Sequence, residues 1–231
     1  VPRIAEARAG AEPTSPRQRA RRQSILRVAA DLAAETGLER VQMHEVAKSA
    51  GVAIGTLYRY FPSKIHLFTA LMADQIEGFA ARLPQRGPGV SPEDAVFEAL
   101  GSATRKLLRR PALATAMIQS ANAARASTVP DLARIDSGFL DLLLRAWGVE
   151  RPTEHHITRL RLLILLWYGV LQSRLNERLS PEKADADLRM ACRLLLAPET
   201  DGGAETDGGA GADGGAGADP GAGAGRGTGT G

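Results

Sequence analysis

From residue 17 to residue 197 apolar residues recur at intervals of three and four, the period of a helix that buries one face. No run of β-branched or aromatic residues alternates long enough to read as a strand. The expected fold is all-α, with about nine helices. The first covers 17–36, sets Ile25, Ala29, Leu32 and Ala33 on one face, and ends at Gly37 as its left-handed C-terminal residue. The second, 43–50, buries Val46 and Ala47 and stops at Gly51. The third begins near Ile54, turns Leu57 and Phe61 inward as an i, i+4 pair and ends at Pro62; Ser63 then caps a fourth helix that runs to about residue 83.

The segment Pro84-Gln85-Arg86-Gly87-Pro88-Gly89-Val90 breaks the helical period with two prolines and two glycines. Ser91-Pro92-Glu93-Asp94 restarts it, with a capping hydroxyl, a proline at the first helical position and two carboxylates near the positive end of the helix dipole. A fifth helix to about residue 110 and further helices over 112–125, 131–147, 153–178 and 181–197 complete the set; Ser180-Pro181-Glu182 opens the last in the same way. Residues 202–231 repeat Gly-Gly-Ala and Gly-Ala, hold 14 of the 25 glycines, and lack the apolar side chains that offset ordering entropy. The expected organisation is a flexible arm at 1–15, a helix-turn-helix domain at 16–62, a larger helical domain at 63–198, and a disordered acidic tail at 199–231.

A chain of 231 residues that is 44% apolar has enough material for sizeable cores, which excludes peptide-hormone and knottin classes. Its net charge of +3 excludes a histone-like polycation but conceals a gradient. Residues 1–66 carry 11 Arg and Lys against 6 Asp and Glu, whereas residues 199–231 carry 1 against 6. An anionic partner is therefore expected at the basic N-terminal end. The longest apolar run, 162–171, is too short to span a membrane, and no signal-peptide core follows the Arg-rich start. The single Cys192 permits no internal disulfide. A reduced, cytoplasmic setting is expected.

Two short helices joined at Ala50-Gly51-Val52-Ala53 form a helix-turn-helix, with Val46, Ala47, Val52 and Leu57 setting the crossing angle. That geometry places the third helix in a major groove of duplex DNA. Its outward residues are expected to be Ile54, Gly55, Thr56, Tyr58, Arg59 and Tyr60: hydroxyls and a guanidinium for phosphate oxygens, small or apolar groups for thymine methyls. Lys64, in the first turn of the fourth helix, opposes the dipole there, a conflict that a bound phosphate would resolve. The same pair of helices also occurs in helical domains that never meet DNA.

The run Gly55-Thr56-Leu57-Tyr58-Arg59-Tyr60-Phe61-Pro62-Ser63-Lys64, preceded by Val46-Ala47 and Ala50-Gly51-Val52, resembles the signature of the TetR family of bacterial repressors. The resemblance implies a homodimer of all-helical subunits, a three-helix DNA-binding domain, and a C-terminal domain that binds a small effector and sets the spacing of the two reading heads. It assigns Thr56, Tyr58, Tyr60 and Lys64 to DNA-contacting positions, with Ile54 and Gly55 facing base edges. Gln42 stands where the family often caps the second helix with Thr; its amide either caps less well or reaches a phosphate. With Val41-Gln42-Met43 added, the stretch is similar to actinobacterial TetR-type repressors of sterol catabolism, which implies a sterol-derived acyl-CoA thioester as effector class.

In the C-terminal half, Leu160, Leu162, Leu163, Ile164, Leu165, Leu166, Trp167, Val170 and Leu171 make the eighth helix apolar around most of its circumference. One side is expected to face the core or pocket; the other, with helix 9, is expected to pack on the same helices of a second subunit. A central helix in a monomer has the same pattern. Phe79, Phe97, Met117, Phe139, Leu143 and Trp167 are the candidate pocket residues for an apolar effector, and Arg105, Arg109, Arg110 or Arg125 are candidates for an anionic headgroup. His155 and His156 are adjacent and point about 100° apart on a helix, His44 and His66 fall in the DNA-binding region, and none has metal-ligand spacing. Neither a catalytic constellation nor a cofactor is expected. A TetR-type activator fits the same residues as a repressor, and a helical enzyme using the C-terminal cavity is the reading from another class.

Overall fold

The computed structural model describes residues 10–84 and 86–197; the expected tail and residues 1–9 of the expected arm lie outside the described residues. Among the described residues there are nine helices and no strand: α1 Pro16–Thr36, α2 Met43–Ser49, α3 Ile54–Tyr60, α4 Lys64–Ala80, α5 Pro92–Leu108, α6 Pro111–Ala123, α7 Asp131–Trp147, α8 Glu154–Leu175 and α9 Pro181–Leu196. The fold is all-α. The capping side chains occupy the positions their residue types favour. The hydroxyls of Ser63, Ser91 and Ser180 accept from the amides of His66, Asp94 and Lys183, each three residues into its helix. Ser15 and Thr153 cap α1 and α8 in the same way. Each such cap stabilises its helix by about 1 kcal/mol. Gly37 has the positive φ expected of it, 77°, but its ψ of 165° sends the chain into an extended exit rather than a left-handed helical one.

Two apolar cores share α4. The first gathers Ile25, Leu26 and Ala29 of α1, Val46 of α2, Leu57 of α3, and Leu67, Phe68 and Leu71 from the first half of α4; Leu113 and Met117 of α6 close it. The second gathers α5, α7, α8 and α9 around Leu100, Leu143, Leu163 and Trp167, with Ile76, Phe79 and Ala80 from the second half of α4 packed against it. The expected division at residue 62 is therefore not where the first core ends. A single helix begins in the one core and finishes in the other, and α6 contributes to both, Ile118 lying in the second.

The packed α8–α9 pair keeps apolar side chains in water. Leu162, Leu165 and Leu166 of α8 and Met190 and Leu194 of α9 stay exposed, Leu165 at 62% and Leu194 at 72%. No described helix is long and apolar enough to cross a membrane.

Candidate nucleic-acid interface

The α2–α3 corner turns on Gly51, whose φ of 65° is open to glycine and strained for other residues. No atom lies within 4 Å of a Cβ placed there, so conformation rather than space selects the glycine. The Val52 amide bonds back to the Ala47 carbonyl at 3.0 Å, and the Ala53 carbonyl accepts the first amides of α3, from Thr56 at 2.8 Å and Leu57 at 3.2 Å. Leu57 and Phe61 are buried, as their i, i+4 spacing requires, and fix the roll of α3 about its axis.

That roll leaves Ile54, Gly55, Tyr58 and Arg59 exposed on one face of α3, with Thr56 half-buried beside them. Gly55 has open space where a Cβ would sit, leaving a shallow notch in this face. Tyr60 is a correction to the expected outward set: it is 4% exposed. It stands at i+3 from Leu57, on the same side of the helix, so packing the leucine carries the tyrosine inward. The buried Tyr60 hydroxyl has no hydrogen-bond partner among the described residues. The Arg59 guanidinium lies 5.2 Å from the Tyr60 ring centroid. Gln42 is the exposed residue before α2 and makes no capping bond. The Lys64 ammonium resolves its conflict with the helix dipole by turning away from α4 and donating to the carbonyls of Leu38 at 3.0 Å and Glu39 at 3.4 Å, in the α1–α2 connection.

Five of the six candidate effector residues meet at the second core. Phe97, Phe139, Leu143 and Trp167 are buried together, with Phe79 half-buried against them. The Phe139 and Trp167 ring centroids are 4.9 Å apart, and the indole N–H of Trp167 donates to the Thr104 hydroxyl at 2.8 Å. Met117 is not brought to this group. It lies in the first core, because the face of α6 that carries it packs toward α1 and α4. Of the candidate headgroup arginines, Arg105 pairs with Glu98 at 3.6 Å, and Arg110 donates to the Asp31 carboxylate at 2.9 Å and the Ala30 carbonyl at 3.2 Å. Cys192 is a buried core residue whose thiol is pushed up to about 12 by burial, which keeps it protonated and unreactive near neutral pH.

A family model described as "Bacterial regulatory proteins, tetR family" matches residues 25–71, and one described as "Tetracyclin repressor-like, C-terminal domain" matches residues 89–195. The HTH-type transcriptional repressor KstR of Rhodococcus jostii is 35% identical over 182 residues, covering 78% of this chain and 84% of that one. The chain belongs to the TetR family. Among solved structures, a TetR transcriptional regulator from Rhodococcus sp. RHA1 matches with a TM-score of 0.73 at 57% identity, over 78% of this chain and 97% of its own. Thermus thermophilus FadR, a TetR-family repressor solved in complex with lauroyl-CoA, shares the fold with a TM-score of 0.58 at 21% identity, over 81% of this chain and 100% of its own. TetR-family regulators bind DNA and small-molecule effectors, typically as dimers.

In this TetR-family chain the reading head is tied to the regulatory half by contacts that no sequence motif announces. His66, 5% exposed, sets Nδ1 2.9 Å from the Ser63 hydroxyl and Nε2 3.1 Å from the Thr128 carbonyl in the α6–α7 connection. A carbonyl only accepts, so Nε2 donates to Thr128. Arg22 of α1 reaches Asp131 of α7 at 3.8 Å, and Gln23 of α1 donates to Asp74 of α4 at 2.5 Å. The position of His66 three residues after the capping serine of α4 is the sequence signal of its role, and it does not name Thr128.

Proposed function

We propose that this chain is a homodimeric transcriptional repressor whose two α3 helices occupy successive major grooves of a palindromic operator, about 34 Å apart, and which a bulky apolar effector releases. The observation that carries the reading is the outer face of α3: Ile54, Gly55, Tyr58 and Arg59 exposed on a short helix anchored by buried Leu57 and Phe61. Ile54, Gly55 and the half-buried Thr56 are assigned to base edges, Tyr58, Arg59 and Gln42 to phosphates. Lys64 stays in the interface as a brace that places its charge near the same backbone. Tyr60 supports the helix from inside. The exposed leucines of α8 and α9 supply the subunit interface, since an uncovered apolar face of this kind calls for a second copy.

The effector site is assigned to Phe79, Phe97, Phe139, Leu143 and Trp167. These side chains are packed on one another, so a ligand has to part them, shifting the population toward an opened form. Because α4 begins in the first core and ends in the second, opening there tilts the head that α4 carries. The resemblance to KstR and the lauroyl-CoA bound to the Thermus relative support an acyl-CoA thioester of sterol origin as effector, bound without turnover in a cytoplasmic regulator. Coupling is reciprocal: operator must weaken thioester binding by the factor by which thioester weakens operator binding. A gel shift on the DNA upstream of the protein's own gene, with and without sterol-derived acyl-CoA thioesters, tests both halves. Loss of the shifted band with thioester, matched by a lower thioester affinity in the presence of DNA, is expected. A band indifferent to every thioester overturns the effector assignment.

A further inference from the structure

The Lys106 ammonium of α5 stands 5.6 Å from the centre of the Phe79 ring and donates to the Gln75 carbonyl of α4 at 3.3 Å. Arg82, just past the end of α4, folds back over Gly78, where a Cβ would lie 3.2 Å from a terminal guanidinium nitrogen. The glycine leaves the room that the guanidinium occupies. Both cations thus converge on the last turns of α4, and among the described residues neither has a carboxylate within ion-pair distance. Burial first, and then the neighbouring Arg82 charge, hold Lys106 below the usual lysine range, with the Asp74 carboxylate pulling the other way. One carboxylate thus answers two cations, and an anion bound between them would remove their repulsion.

Their place in the fold selects the anion. Phe79 is half-buried, packed against the second core with Lys106 over its ring, so it stands where the proposed effector site reaches the surface. Gln75, which holds Lys106, also lines a cleft of about 190 Å³ between α1 and α4, bordered by Arg27, Asp31, Asp74 and Arg110. The two carboxylates of that cleft are already engaged, Asp31 by Arg110 at 2.9 Å and Asp74 by Gln23 at 2.5 Å. In the effector reading proposed above, on which this inference rests, a ligand with its apolar part among Phe79, Phe139 and Trp167 leaves the core past Lys106 and meets this cationic wall. We infer that Lys106 and Arg82 form an anion subsite at the edge of the effector site, which takes the diphosphate of a coenzyme A headgroup while the acyl part enters the second core. A guanidinium fork and an ammonium are the two side-chain groups best suited to phosphate oxygens. Because the subsite lies on the end of α4, the headgroup pulls on the helix whose first half holds the reading head.

The test compares two thioesters of one sterol-derived acid: cholanoyl-CoA, and S-cholanoyl-pantetheine, which keeps the acyl part and the thioester but has no phosphate. Coenzyme A alone is the third probe. Each is titrated by calorimetry into the full chain, its Lys106→Gln/Arg82→Gln variant and its Lys106→Arg variant. The unaltered chain should bind cholanoyl-CoA at least about tenfold more tightly than the pantetheine thioester, the least that one hydrogen bond to a charged group contributes. In the double variant that preference should disappear while affinity for the pantetheine thioester is unchanged, a pattern that a general loss of packing does not produce. Lys106→Arg keeps the charge and should keep the preference. Equal affinity of the unaltered chain for the two thioesters, or a preference that the double variant retains, overturns the subsite and leaves the apolar site standing. Coenzyme A binding that the acyl part does not strengthen, lost in the double variant, keeps the anion subsite and overturns the apolar one. Binding of none of the three probes overturns the effector reading and the subsite with it.

Discussion

Tyr58 is 46% exposed on the outer face of α3, whereas the Lys64 ammonium already rests on the carbonyls of Leu38 and Glu39. The two positions therefore respond differently to mutation. Tyr58→Phe removes a hydroxyl that serves no packing purpose; it should weaken operator binding by about 0.5–1.5 kcal/mol, the net worth of one hydrogen bond, and leave the melting temperature unchanged. Lys64→Ala should weaken binding and also lower the melting temperature by about 2–4 °C, the equivalent of about 1 kcal/mol for a chain of this size, once the half-exposure of its charged hydrogen bond is allowed for. Fluorescence anisotropy and thermal unfolding of both variants check this; identical thermal shifts would contradict the brace. Tyr60 shows why the residue scale is only partly legible in sequence. Its hydroxyl suggests a contact with DNA, but its spacing of three from Leu57 places it inward, and in a seven-residue helix the spacing wins. Lys64 was legible as a conflict with the helix dipole, although its carbonyl partners, 25 and 26 residues upstream, were not.

Helices were legible because local chemistry dictates their ends. The Ser-Pro-Glu starts at Ser91 and Ser180 and the Ser63 cap act within three residues, and the observed α5, α9 and α4 begin where those signals stand. Which neighbour a buried face meets is a long-range matter, and there the sequence is silent. Met117 shares its apolar character with Phe139 yet lies in the other core. The expectation that α8 needs cover on two sides concerns an element rather than a residue. Its exposed Leu162, Leu165 and Leu166 recur at i, i+3 and i+4, and Met190 and Leu194 of α9 add an i, i+4 pair. Because Leu165 and Leu194 are mostly in water within one chain, the Leu165→Arg/Leu194→Arg variant should fold with unchanged helicity. Burying two arginines opposite their own copies should nevertheless abolish the dimer. Sedimentation velocity should show a dimer for the parent and a monomer for the variant; a dimeric variant would place the interface on another surface.

At the scale of the molecule, α4 is the shared member. Its N-terminal half holds the reading head, its C-terminal half borders the proposed effector site, and His66 ties its first turn to the Thr128 carbonyl beyond α6. Arg22, Gln23 and Arg110 add links between α1 and helices that belong to the regulatory half. In the proposed mechanism a displacement among Phe139, Trp167 and Phe79 passes along α4 to the core that holds α3, and a dimer would convert a small tilt into a change in the spacing of two heads. All of this depends on α3 lying in the major groove twice. Guanine N7 projects into that groove, so methylation interference on the duplex selected by the full chain is the most direct measurement. The account predicts two clusters of interfering guanines on one face of the duplex, centred one helical turn apart, about 10 base pairs, or a multiple of it. A single cluster, or binding indifferent to N7 methylation throughout, would contradict it.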